Sequence, residues 1–137
     1  DKTPQGFPLP GAIDPGFGYR IHPVWGTPDW HTGVDISGYY GQDVKATASG
    51  RVVKSGWAGG YGNVVIIYHR DGIRTLYAHN SKNLVYEGEY IKTGQTIAKA
   101  GKTGTATCVH THYEVQYGNK PIDPEKFNNL VKKNAPK

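Results

Sequence analysis

Short apolar runs punctuated by glycine predict a mainly β fold closed by one short C-terminal helix. Among the 137 residues are 19 Gly, 9 Pro and 10 Tyr, and the β-branched residues fall in brief runs such as Val64-Val65-Ile66-Ile67. That composition favours many short strands and turns over long helices. Between two β-rich runs stands Asp71-Gly72, a strong hairpin signal because both turn residues can take positive φ. The only helix signature lies at the end, with Asp123 as N-cap, Pro124 at the first helical position, and Phe127, Leu130 and Val131 at three- and four-residue spacing. A chain of this length buries well over half of its unfolded surface, so one domain is expected. Its bounds are a lead-in strap over 1–15, the domain proper over 16–131 and a tail over 132–137.

Taken in order, Gly16 to Pro23 reads as a glycine-punctuated extended segment, followed by an aromatic-rich loop from Val24 to Trp30. Gln42 to Lys54 reads as strand, Ser49-Gly50 turn and strand. The four glycines of Gly56 to Gly62 let a backbone come close to a ligand or to another loop. In the hairpin, a two-residue turn pairs Arg70 with Ile73, His69 with Arg74 and Val64 with His79. His69 and His79 then lie about 17 Å apart at ~3.3 Å per residue, so they cannot share a site, and His69 reads as an exposed strand residue. Glu87 to Ala98 forms a second pair of short strands around Gly94, similar in design to Gln42 to Lys54 and expected to pack with it. Gly101-Lys102-Thr103 is not a phosphate loop, since the upstream glycine is missing and no helix pattern follows.

The formal net charge of +5 admits an anionic partner. With no basic run longer than Lys132-Lys133 and no basic helix, a nucleic-acid binder is not expected. No stretch approaches the ~20 apolar residues of a membrane span. The chain starts with Asp, which reads as a processed form or an excised piece of something longer. Cys108 is the single cysteine, so no internal disulfide forms.

The chemistry gathers around Val109-His110-Thr111-His112-Tyr113-Glu114. On an extended segment His110 and His112 point to one face. Upstream, His31-Thr32-Gly33-Val34-Asp35 offers another imidazole and a carboxylate. A catalytic zinc site uses three protein ligands and keeps a fourth position for water. His31, Asp35 and one member of the His110/His112 pair supply that count. The metal would lower the pKa of a water to ~7 and so provide hydroxide at neutral pH. The imidazole of the pair that is not a ligand, and His79 at its strand end, could orient the water or carry its proton. Glu114 shares the face of the pair, either as a partner to an imidazole or as one half of an ordinary ion pair.

His31-x-x-x-Asp35, Tyr77-Ala78-His79 and His110-x-His112 together resemble the lysostaphin-type (LytM-like) zinc endopeptidases of bacterial peptidoglycan. So do Gly16-x-Gly18-x-Arg20-x-His22-Pro23, Gly60-Tyr61-Gly62-Asn63 and Gly88 to Ala98. The resemblance covers about Gly16 to Phe127. It implies one zinc ion held by His31, Asp35 and His112, with His79 and His110 as catalytic imidazoles. It further implies a compact antiparallel β-sheet or β-barrel-sandwich domain, with a groove walled by Val24 to Trp30, Trp57 to Tyr61 and Thr103 to Thr107. Arg20, Trp30, Tyr61 and Asn63 are the candidate substrate contacts. The implied activity is hydrolysis of peptidoglycan stem peptides or cross-bridges by a monomer located outside the cell, on the wall or in a phage particle. The alternative is a catalytically silent wall-binding or regulatory module of the same fold. The chain departs from the family at Cys108-Val109, where a small residue or Pro is frequent, and at Asn80, where Leu is frequent. Neither position is a ligand.

Overall fold

The computed structural model describes residues 2–14, 18–21, 28–31, 33–104, 106, 108–118, 120–124 and 127, with the backbone alone for 14, 18–21 and 28–31. In chain order the strands are β1 (Ile13–Asp14), β2 (Gly18–Ile21), β3 (Pro28–His31), β4 (Val34–Ser37), β5 (Asp43–Lys45), β6 (Gly50–Trp57), β7 (Asn63–Arg70), β8 (Ile73–Asn80), β9 (Lys82–Asn83), β10 (Tyr90–Ile91), β11 (Thr96–Lys99), β12 (His110–Tyr117) and β13 (Lys120–Ile122). A single 3₁₀ turn, Gly59–Tyr61, joins β6 to β7. The fold is mainly β and antiparallel, as the sequence predicts.

Eight strands form the main sheet in the order β1-β4-β12-β8-β7-β6-β10, with β13 also on β12. A three-stranded sheet, β5-β11-β9, packs on one face, and β2 pairs with β3. Among the described residues the main sheet does not close on itself, so the barrel alternative is not realised. The predicted helix over 124–131 lies mostly outside the described residues, and a short C-terminal helix is not established.

Alternation along the strands builds the core. Val34 and Ile36 of β4, Val52 of β6, Ile67 of β7, Tyr77 of β8 and Val115 of β12 point to one side and meet Val44 and Ile97 of the smaller sheet. Each fully buried aliphatic side chain contributes about 1.5–3 kcal/mol. The opposite face carries a smaller apolar cluster of Val64, Leu76 and Ala78, packed by Ala58, Tyr61 and Ile66, and beside it the polar cluster.

The two glycine-centred units interlock, though neither is a hairpin. β5 pairs with β11 and β6 pairs with β10, so the Gln42–Lys54 segment is split between two sheets. Strand spacing was readable in the sequence, but pairing partners are set by the core.

The Asp71-Gly72 hairpin forms with both residues at positive φ, 49° and 81°, and Arg70 pairs with Ile73 as predicted. Beyond that the register differs, because Tyr68, not His69, faces Arg74. A bulge between Tyr68 and Arg70 adds one residue to β7 and rotates His69 inward. The exposed position expected for His69 is thereby corrected, since the ring is only 4% exposed. Nδ1–H donates to the Ser49 carbonyl at 2.7 Å, and Nε2 meets Thr75 Oγ1 at 2.7 Å. From Thr75 a buried hydroxyl chain continues through Tyr77 and Thr47 to Tyr113.

Candidate active site

Strand β12 lies between β4 and β8, and register alone assembles most of the site. His112 is directly opposite Asp35 on β4 and Ala78 on β8, while His110 faces Ser37. Directly paired residues on one sheet face have Cβ atoms about 5 Å apart, so a histidine and a carboxylate at these positions must meet. Asp35 Oδ1 is 2.9 Å from His112 Nδ1 and 3.6 Å from His110 Nε2.

The other nitrogen of His112 is also engaged. Nε2–H donates to Glu114 Oε2 at 2.8 Å, and that oxygen accepts the Tyr61 hydroxyl at 2.6 Å. Gln116 Nε2 donates to Glu114 Oε1 at 2.9 Å. Glu114 is 1% exposed, so of its two sequence readings the buried imidazole partner holds and the surface ion pair does not. The Tyr61 ring stacks on His112, with centroids 5.7 Å apart and planes at 27°.

A second bulge delivers His79. Asn63 pairs with Asn80 and Val65 with Tyr77, so Ala78 and His79 together oppose Val64. His79 takes φ 65°, a left-handed conformation costing a side-chain-bearing residue about 1–2 kcal/mol. Its ring centroid lies 4.8 Å from that of His110 and 6.1 Å from that of His112. Nδ1–H donates to the Thr103 carbonyl at 2.8 Å. Likewise, His110 Nδ1–H donates to the Cys108 carbonyl at 3.0 Å. Both rings therefore keep the Nε2 lone pair, whereas His112 is anchored through Nε2 and turns Nδ1 toward Asp35.

Burial pushes His79 down to about 4 despite the Thr103 carbonyl, so it is neutral at pH 7. Burial also pushes on His112, but the hydrogen bonds and charges of Asp35 and Glu114 outweigh it and raise the group to about 9. With Nε2–H committed to a carboxylate, a neutral His112 would aim a lone pair at the Asp35 oxygen. A positive charge must lie between them. A proton serves, and so does a divalent cation, for which an imidazole and a carboxylate backed by a second carboxylate form a suitable donor set.

Of the other predicted site residues, His31 ends β3, paired through its backbone with Gly18, and Arg20 and Trp30 lie on β2 and β3. The side chains of all three lie outside the described residues. Among the described residues no group of three His, Cys, Asp or Glu forms a metal cage. Asn63 spends its side-chain amide on the Asn80 carbonyl at 3.1 Å, bracing the loop. The Cys108 sulfur is exposed and 4.0 Å from His110 Nδ1, on the side of the ring away from Asp35. Thr103 is expected from the sequence only as the start of a groove wall, and its bracing of the cluster escaped the sequence reading. Its carbonyl accepts from His79, and its hydroxyl donates to the Asn80 carbonyl and accepts from the Asn63 backbone N–H. The glycines of this loop pair explain the close approach, since a Cβ on Gly62 or Gly104 would collide with the other loop's backbone.

The antiparallel sheet that carries this cluster on the face opposite its main core recurs in solved peptidase structures. A zinc-containing peptidase from Vibrio cholerae superposes with a TM-score of 0.79 and 34% identity, covering 89% of this chain and 39% of that one. The catalytic domain of lysostaphin from Staphylococcus simulans gives a TM-score of 0.77 and 34% identity, over 87% and 92% of the two chains. The family model of peptidase family M23 matches residues 29–124, and the chain belongs to that family. Among curated relatives, the DD-carboxypeptidase/endopeptidase Mpg of Neisseria meningitidis serogroup B is 42% identical over 112 residues, 82% of this chain and 26% of Mpg. The murein hydrolase activator NlpD of Escherichia coli K12 is 46% identical over 96 residues, 69% of this chain and 25% of NlpD. The chain thus spans about a quarter of the length of these two relatives.

Proposed function

We propose that the chain is a zinc-dependent endopeptidase that hydrolyses peptide bonds in peptidoglycan stem peptides or cross-bridges. The observation carrying this reading is the opposite anchoring of the imidazoles around Asp35: His112 offers Nδ1, while His79 and His110 keep Nε2 lone pairs. His112, Asp35 and His31 would hold the metal. Zinc, when bound, supplies Lewis-acid chemistry and lowers the pKa of a water to about 7. Glu114 fixes the His112 tautomer, and Tyr61 fixes Glu114. His79, neutral at pH 7, accepts a proton at Nε2 and returns it to the leaving amine. His110, beside it, keeps an Nε2 lone pair of its own and shares in moving that proton. A cell-envelope location, supported by the likeness to the outer membrane antigenic lipoprotein B of Haemophilus influenzae, fits a peptidoglycan substrate.

Metal analysis and digestion of purified sacculi test the reading. The native chain should carry one zinc and release peptides, and His112→Ala should do neither. Full digestion by a metal-free His112→Ala protein would overturn it. The second reading, a silent activator, is favoured by the likeness to NlpD. It requires the native chain to leave sacculi intact while stimulating another hydrolase.

A further inference from the structure

The sheet face that bears the active site continues well past it. Register carries one row straight across five strands, from Tyr90 on β10 to Arg51 on β6, Tyr68 on β7, Arg74 on β8 and Gln116 on β12. Directly paired residues share a face, and Gln116 is four residues from His112 on β12, so the row is on the side of His112. At ~3.3 Å per residue it lies about 13 Å away. Its outward direction is visible in burial: Tyr90 is 49% and Tyr68 37% exposed, while neighbouring Ile91 and Ile67 are fully buried.

The row has the chemistry of a platform. Tyr90 and Tyr68 are two strand spacings apart, about 10 Å, on the scale of a disaccharide. The Gly72 amide donates to the Tyr68 hydroxyl at 3.2 Å, steadying that ring at its far end. Arg51 donates to the Gly88 carbonyl at 2.7 Å, and among the described residues neither Arg51 nor Arg74 pairs with a carboxylate. No acid occurs in the row. Aromatic rings interleaved with guanidinium groups that no described carboxylate neutralises complement a sugar polymer bearing carboxylates, and the +5 chain adds attraction at longer range.

We propose that the Tyr90-Arg51-Tyr68-Arg74-Gln116 row is a docking site for the carboxylate-bearing glycan strand of peptidoglycan, the rings stacking on sugars and the arginines taking carboxylates. This rests on the peptidoglycan reading above. A partly stripped strand held there through sugars whose carboxylates are free would have the peptide branches of its neighbouring sugars within reach of the site, since about four extended residues cover 13 Å.

The test uses peptide-free glycan strands with free carboxylates as the binding probe, and a short sugar-free peptide as a separate substrate. The wild-type chain should bind the strands, more weakly as salt rises. Tyr68→Ala/Tyr90→Ala and Arg51→Gln/Arg74→Gln should each weaken binding at least about tenfold, the loss that 1.4 kcal/mol represents. Both should slow digestion of sacculi and leave cleavage of the sugar-free peptide unchanged. Tyr68→Phe/Tyr90→Phe should keep the binding and so separates stacking from misfolding. Absence of strand binding by wild type, or unchanged binding in both double variants, overturns the proposal. Failure of the chain to cut the sugar-free peptide bears on the endopeptidase reading alone.

Discussion

His112 and His69 are almost equally buried, at 5% and 4% exposure, and belong to the same sheet, yet their surroundings drive them in opposite directions. His112 lies between two carboxylates and is raised to about 9. His69 meets a carbonyl and a hydroxyl, and burial, only partly offset by the Ser49 carbonyl, holds it below its usual 6.5. Burial alone favours the neutral ring in both cases. The partners decide whether a cation is tolerated, so the His112 position can accept positive charge and the His69 position cannot.

Removing the carboxylate that faces His112 should have the largest effect. Asp35→Ala is expected to reduce metal content and sacculus digestion to background. Next, His79→Ala should retain the metal while losing about 10²–10⁴-fold in rate, the usual contribution of a positioned acid–base group; a variant that loses zinc as well would mean that His79 is a ligand. Glu114→Gln keeps the shape but weakens the hold on His112, and should cost about 10–100-fold in metal affinity or activity, measured by competition with a chelator.

The smallest effect belongs to the inner histidine. His69→Phe leaves the Ser49 carbonyl without its donor and should cost about 1–3 kcal/mol in urea unfolding. Because the folded-state pKa of His69 lies below 6.5, the unfolded chain takes up the proton first as acidity rises. The wild type should therefore lose stability as pH falls below about 6.5, and the variant should lack that component. Equal pH dependence in the two proteins would count against a neutral buried His69.

The sequence carried the components of both regions but not the slips that aim them. Asp71-Gly72 announced its hairpin, and period-two spacing put His110, His112 and Glu114 on one face. Nothing in residues 63–80 signalled the bulges, since an extra residue in a ladder is decided by what packs around it. One bulge turned His69 inward against its expected exposure; the other lifts His79 into the cluster. The Thr103 carbonyl was equally invisible, because backbone acceptors have no residue code and enter a site only when a loop folds over it. The pairing of β5 with β11 and β6 with β10 likewise depends on contacts distant in sequence.

The left-handed backbone at His79 has a consequence for how this domain could be improved. Glycine is the residue that conformation favours, so His79→Gly should relieve local strain even as it deletes the imidazole. That gain is offset, because the change also removes a ring only 7% exposed and leaves the Thr103 carbonyl without its donor, a loss of about 1–3 kcal/mol. The hydrogen bond from β8 to the loop is therefore what keeps the strained backbone in place, and a hardened version of the domain should draw its gains from elsewhere in the chain.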